Sequence, residues 1–232
     1  MKKTVLVLGI ISAFRFGFVE AATETICQGQ NNICGNKIDK FNFGYTAEQV
    51  NKIVIDAVKA HDARADARHK ADAEAIKNLT TAVTALAQGK TGATKSQVDT
   101  AFAALRKGDF SLALSLFEQE DARRDEEADD KLRAEIKRNI GALAFLDDTQ
   151  KSLKAYHRAT QLDPDNADAW NWLGHLFKRT GELDEAINAY QTVLRLGQAH
   201  KDQEEIAMAY GNLGEVYRVR SDLDKAIEYY NK

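Results

Sequence analysis

Apolar residues recur along most of this chain at three- and four-residue intervals, the period of an amphipathic helix. The first long run opens at Thr46-Ala47-Glu48-Gln49, a capping box, and continues to about Gln88 with no Pro or Gly inside it. The pattern predicts a single helix over 46–88, about 60 Å long at 1.5 Å per residue. Its apolar seam lies at the ends, with Val50, Ile53 and Ala57 first and Ile76, Leu79, Val83 and Leu86 last. The middle, His61 to Glu74, is mostly Ala and charge, with Asp66 and Lys70 placed as an i,i+4 pair. Such a helix buries too little to stand alone. It is expected either to associate with another copy as a coiled coil or to fold back on the C-terminal part of the chain. Before it, Ile38, Phe41 and Phe43 alternate and predict a short strand, broken by Gly44-Tyr45. After it, Gly89 and Gly92 bracket a linker.

Beyond the linker the pattern itself repeats. Trp170, Leu173, Gly174, Phe177, Ala186 and Tyr190 are matched in order by Tyr210, Leu213, Gly214, Tyr217, Ala226 and Tyr230. Upstream, Asn139-Ile140-Gly141 followed by Ser152, Tyr156 and Ala159 gives a further copy, closed by Pro164, the one proline of the chain. Gly141 to Ser152 is one residue shorter than Gly174 to Ala186, so the turn of that copy is trimmed. A weaker copy holds Gly108, Phe110, Ala113 and Phe117, with a first helix over Ser96–Leu105. These residues resemble the tetratricopeptide repeat, a helix-turn-helix unit that stacks on its neighbours. The resemblance implies an all-α fold, an α-solenoid of four units over 94–232 that start near 94, 134, 167 and 207. Two of the spacings are near 40 residues, so helices there should be longer. Such units are similar to those of kinesin light chains, spindle-orientation adaptors and many bacterial scaffolds. The last unit stops partway through its second helix at Lys232, which suggests either a fragment of a longer protein or an open end that stacks on another subunit.

Composition narrows the partners. The 32 Lys and Arg against 35 Asp and Glu leave a net charge of -3, which is no footprint for nucleic acid. Residues 1–21 read as a signal peptide: Met1-Lys2-Lys3, an apolar run over Thr4–Phe14, and small residues for processing after Ala21 or Ala22. Eleven apolar residues are too few to cross a bilayer, which takes about 20. The expectation is a periplasmic or secreted protein with no membrane span in the mature chain. In that setting Cys27 and Cys34, in the tail over 22–45, are expected to close one small disulfide loop.

The chemistry the sequence offers is binding. Gly89-Lys90-Thr91 has the ending of a phosphate loop, but Thr84 stands where that motif needs Gly, and a helix precedes it. His61 and His69 are eight residues apart, too far for a helical metal pair, and are expected to be solvated. The acidic run Glu118–Asp130 lacks the order of a calcium loop and reads as a solvated helix extension. No catalytic set, cofactor or metal is expected. In the family, first helices line a concave face that takes a peptide. The resemblance carries that role to Arg138 and Ala142, to Asn171, His175 and Lys178, and to Asn212, Glu215 and Arg218. Arg138, Lys178 and Arg218 would favour an acidic peptide. The departure from a carboxylate clamp at Gly211 and Glu215 weakens a C-terminal carboxylate ligand, and a merely solvated face is the alternative. Trp170 is expected in the core; Trp172 either fills the seam with the preceding unit or presents a hot spot. The sequence thus reads as a non-catalytic scaffold for a protein or peptide partner. The rival readings are self-assembly as a homo-oligomer through the N-terminal helix and the uncapped repeat end, and the accessory repeat part of a larger enzyme or signalling protein.

Overall fold

The computed structural model describes residues 41–64, 73–124 and 129–232, so the signal peptide, Cys27, Cys34, the Asp66–Lys70 pair and His69 lie outside the described residues. Every regular element among the described residues is helical. The chain divides into two compact units, Met1–Glu120 and Asp121–Lys232.

In the first unit α1 spans Ala47–Asp62 and α2 spans Ala73–Ala87. The capping box forms as expected: the Thr46 side chain accepts from the Gln49 amide, and the Gln49 side chain accepts from the Thr46 amide at 2.9 Å. The single helix over 46–88 does not form; α1 and α2 pack against each other. Asn42 Nδ2 donates to the Gln88 carbonyl at 2.5 Å, so the start of α1 lies beside the end of α2 and the two run antiparallel. Folding back brings the two apolar seams into one core, with Val50, Ile53, Ala57, Ile76, Leu79, Val83 and Leu86 all buried. A continuous helix would have left both seams in water. The predicted strand is also absent where it is described: Phe41–Gly44 is a turn closed by the Gly44 amide on the Phe41 carbonyl at 2.7 Å.

Gly89 and Gly92 both have positive φ directly after α2, so Gly89-Lys90-Thr91 is a helix stop. Then α3 (Lys95–Leu105) starts with a second capping box, Thr94 with Gln97, and packs on α1. It buries Val98, Ala101, Phe102 and Leu105. Helix α4 (Ser111–Arg123) follows, and the boundary between the units falls within it. His61 is buried, contrary to the expected solvated histidine: it continues the α1 stripe and meets the Phe110 ring edge-on at 6.3 Å.

In the second unit α5 (Asp130–Ala144), α6 (Thr149–Leu162), α7 (Ala167–Thr180), α8 (Leu183–His200), α9 (Gln203–Val219) and α10 (Leu223–Tyr230) pack each on the next. Asp148, Asn166, Asp202 and Asp222 cap α6, α7, α9 and α10, each accepting from an amide of the first turn. This makes three helical pairs in series, an α-solenoid. One contact builds each pair. A Cβ on Gly141, Gly174 or Gly214 would lie 2.5–2.6 Å from the ring of Tyr156, Tyr190 or Tyr230 respectively. Only glycine lets the aromatic of the second helix lie against the first helix. The longer spacing is real: α8 has 18 residues against 14 in α6, and α9 has 17 against 14 in α7. No helix among the described residues is long and apolar enough to cross a membrane.

Candidate peptide-binding groove

Helices α7 and α9, the first members of their pairs, approach each other directly, whereas α8 and α10 do not come as close. The second unit therefore curves with α7 and α9 on its inner side. At 3.6 residues per turn Asn171, His175 and Lys178 share one stripe of α7, and Asn212, Glu215 and Arg218 share one of α9. The structure brings the two stripes together. Asn212 Nδ2 donates to Asn171 Oδ1 at 2.8 Å, and Asn171 is only 2% exposed. Asn212, half-buried, keeps its carbonyl oxygen and one N–H for a further group.

His175 is held on both sides. The Tyr190 hydroxyl bonds its Nδ1 at 3.1 Å, and the Trp172 ring centroid lies 5.4 Å away. Because Tyr190 is the ring that rests on Gly174, the tightest contact of the pair also fixes the groove histidine. Trp172 is 8% exposed and fills the seam, edge-on to Phe145 at 5.0 Å and stacked with Tyr156 at 6.2 Å. Trp170, expected in the core, is only half-buried. Its Nε1–H donates to the Pro164 carbonyl at 2.9 Å, and its ring packs beside Val193, Leu196 and Ala209.

The charged positions are less open than the sequence implied. Arg218 donates twice to Glu215, at 2.8 and 2.7 Å, and the Tyr230 hydroxyl donates to the same carboxylate at 3.1 Å. The Arg218 bonds, then that of Tyr230 and the charges of Arg218 and Lys178, hold the Glu215 carboxyl below its usual range. Arg138 faces Asp163 at 3.6 Å. Two of the three cations expected to draw an acidic peptide are thus matched by carboxylates of the chain itself. Ala142 is buried in α5 and offers no groove surface. Arg179 escaped the sequence reading. It donates to the Phe145 carbonyl and to Thr149 Oγ1, both at 2.7 Å, and covers the Phe145 ring, tying α7 to the turn before α6. A lone Arg beside Lys178 at a helix end carries no signal for such a role.

Comparison with known proteins fits this geometry. A family model described as tetratricopeptide repeat matches residues 165–232, and one described as TPR repeat matches residues 146–181. Protein bimA of Emericella nidulans is 32% identical over 83 residues, which is 36% of this chain and 10% of that protein, so the chain spans about a tenth of its length. Two crystal structures of MamA align with TM-scores of 0.47, one at 23% identity over 59% of this chain and 74% of its own, the other at 20% over 79% and 90%. The matched residues cover α6 to α10, and the Gly141–Tyr156 contact adds α5 to the same series. On this sequence match, residues 146–232 of the chain are tetratricopeptide repeats.

Proposed function

We propose that this chain is a non-catalytic interaction scaffold that binds an extended peptide segment of a partner protein along the inner face of α7 and α9. The observation that carries the reading is the Asn171–Asn212 bridge, which holds a partly exposed amide between two adjacent first helices. An amide offers donor and acceptor at once and so matches a peptide backbone group. Lys178 extends the same stripe, half-buried and so partly open to a ligand, and His175, its Nδ1 bonded to Tyr190, lies between Asn171 and Lys178 on that stripe. Because Arg138 and Arg218 are matched internally, backbone pairing outweighs net charge in this reading, and binding is expected to be only weakly salt-dependent. The test is selection of a displayed peptide library on the full chain, followed by affinity measurement on variants. Asn212→Ala is expected to weaken a selected peptide about tenfold, the value of one good buried hydrogen bond. Selected peptides that bind Asn212→Ala and Lys178→Ala as tightly as the parent would place the ligand elsewhere. We also take the chain to be exported, on the strength of Met1–Phe14; N-terminal sequencing of the protein from its host would find Ala22 or Thr23 first if so, and Met1 if not.

A further inference from the structure

The first helices α5, α7 and α9 carry two ion pairs of the chain's own beside the Asn171–Asn212 bridge. On α5, Arg138 Nη1 faces Asp163 at 3.6 Å, with both side chains largely buried. On α9, Glu215 stands about one turn beyond Asn212 on the same stripe. Arg218 closes on its carboxylate as a fork: Nη2 donates to Oε1 at 2.7 Å and Nε donates to Oε2 at 2.8 Å. From α10 the Tyr230 hydroxyl donates to Oε2 at 3.1 Å, and from α7 Lys178 adds its charge. Groups of three helices thus converge on one carboxylate. A planar guanidinium fork, a hydroxyl and a nearby ammonium are the groups with which proteins hold the carboxylate of a ligand. Here the carboxylate is built in, and the amide bridge beside it is uncharged.

We propose that Glu215 sets the charge preference of the groove by filling the place that a ligand's carboxylate would take, so that the ligand is a segment with uncharged side chains where it crosses α9. The inference rests on the groove reading above and names the chemistry of its ligand. An acidic side chain brought to this place meets an Arg218 whose fork is used, and meets the Glu215 charge besides. A basic side chain meets Lys178 and Arg218. Neither sign gains. The Glu215 side chain is 34% exposed, so an arriving group reaches it. Held below the usual carboxylate range, it stays charged wherever a carboxylate of the ligand is charged.

The experiment selects one displayed peptide library on the full chain and again on Glu215→Gln, a change that keeps the shape and removes the charge. Peptides selected on the parent are expected to be uncharged at the position that meets α9, and glutamate placed there should not improve their binding to the parent. On Glu215→Gln the same glutamate should improve binding about three- to fivefold, the range of a half-exposed ion pair. That gain should fade at high salt and shrink when Arg218→Gln is added. Arg218→Gln alone leaves Glu215 without its fork and should shift the selection towards Lys or Arg at that position. Both residues reach the surface, so the thermal melts of the two variants should lie close to the parent's. Parent peptides rich in Asp or Glu at that position would overturn the proposal. So would peptides that need Asn212 yet gain nothing from glutamate on Glu215→Gln and nothing from lysine on Arg218→Gln; the groove itself would then stand. Peptides indifferent to Asn212→Ala would instead remove the groove reading, and this inference with it.

Discussion

The pair α7/α8 and the pair α9/α10 carry one pattern in two environments. Both have a glycine against a tyrosine, a small Ala beside it and an Ile on the outer stripe. In the first pair the tyrosine and the isoleucine are buried, and in the second they are half in water. The pattern therefore determines how two helices meet, and the next helix determines what that meeting is worth. Burial is a property of the stack, as expected where each unit contacts only its neighbours.

The largest test of this contrast is to remove the rings. Tyr190→Ala is expected to cost about 3–5 kcal/mol in chemical denaturation, as for other buried aromatics, whereas the half-exposed Tyr230 should lose well under half of that. Next come the glycines. Gly174→Ala should destabilise by about 1–3 kcal/mol, because Tyr190 has nowhere to move. Gly214→Ala should cost less, since Tyr230 has solvent on one side to swing into. Gly211→Ala, with open space around it, should stabilise by about 0.5–1 kcal/mol through helix propensity alone. Equal effects at Gly174 and Gly214 in thermal melts would break the comparison.

A smaller effect concerns acid. Glu215 is held below the usual carboxylate range in the fold, so its contribution is fully present above that range and fades as pH falls through it. The fall in Tm between about pH 5 and pH 3 should therefore be shallower in Glu215→Gln than in the parent. A Glu215→Gln chain with the parent's acid profile would show that this cluster is too exposed to matter.

Much of the repeat region was legible because its contacts are local and periodic. Gly141, Gly174 and Gly214, each with a tyrosine fifteen or sixteen residues on, announce three close approaches without any knowledge of the fold. The shorter interval after Gly141 was legible, but its form was not. The turn is not trimmed, since the connection spans 145–148 against 181–182 in the next pair. It is the first helix that is shorter, α5 stopping at Ala144 whereas α7 continues to Thr180. The break between α1 and α2 was not. With no Pro or Gly over 46–88, local propensity favours a continuous helix, and the fold-back is driven by long-range burial of two seams. His61 was misjudged for the same reason, since its stripe is apolar only when the partner helices are known. Of the candidate groove, the positions Asn171, His175 and Asn212 could be found from the repeat register. Their bonding could not. The pairing of Arg218 with Glu215, three residues apart on α9, was open to spacing, but the matching of Arg138 by Asp163 was not. An ion pair across a helix junction depends on rotamers that no spacing encodes. The two tryptophans show the limit at one turn: Trp170 holds the large-residue place of the pattern, yet Trp172 is the deeper, because the seam with Phe145 and Tyr156 lies on its side.

Amide hydrogen exchange across the second unit tests the contrast between covered and uncovered helices most directly. The amides of α8, closed on both sides by α7 and α9, should be among the slowest to exchange, and those of α10 the fastest of the helical amides in the unit. Protection in α10 equal to that in α8, in the chain alone and at low concentration, would contradict the account.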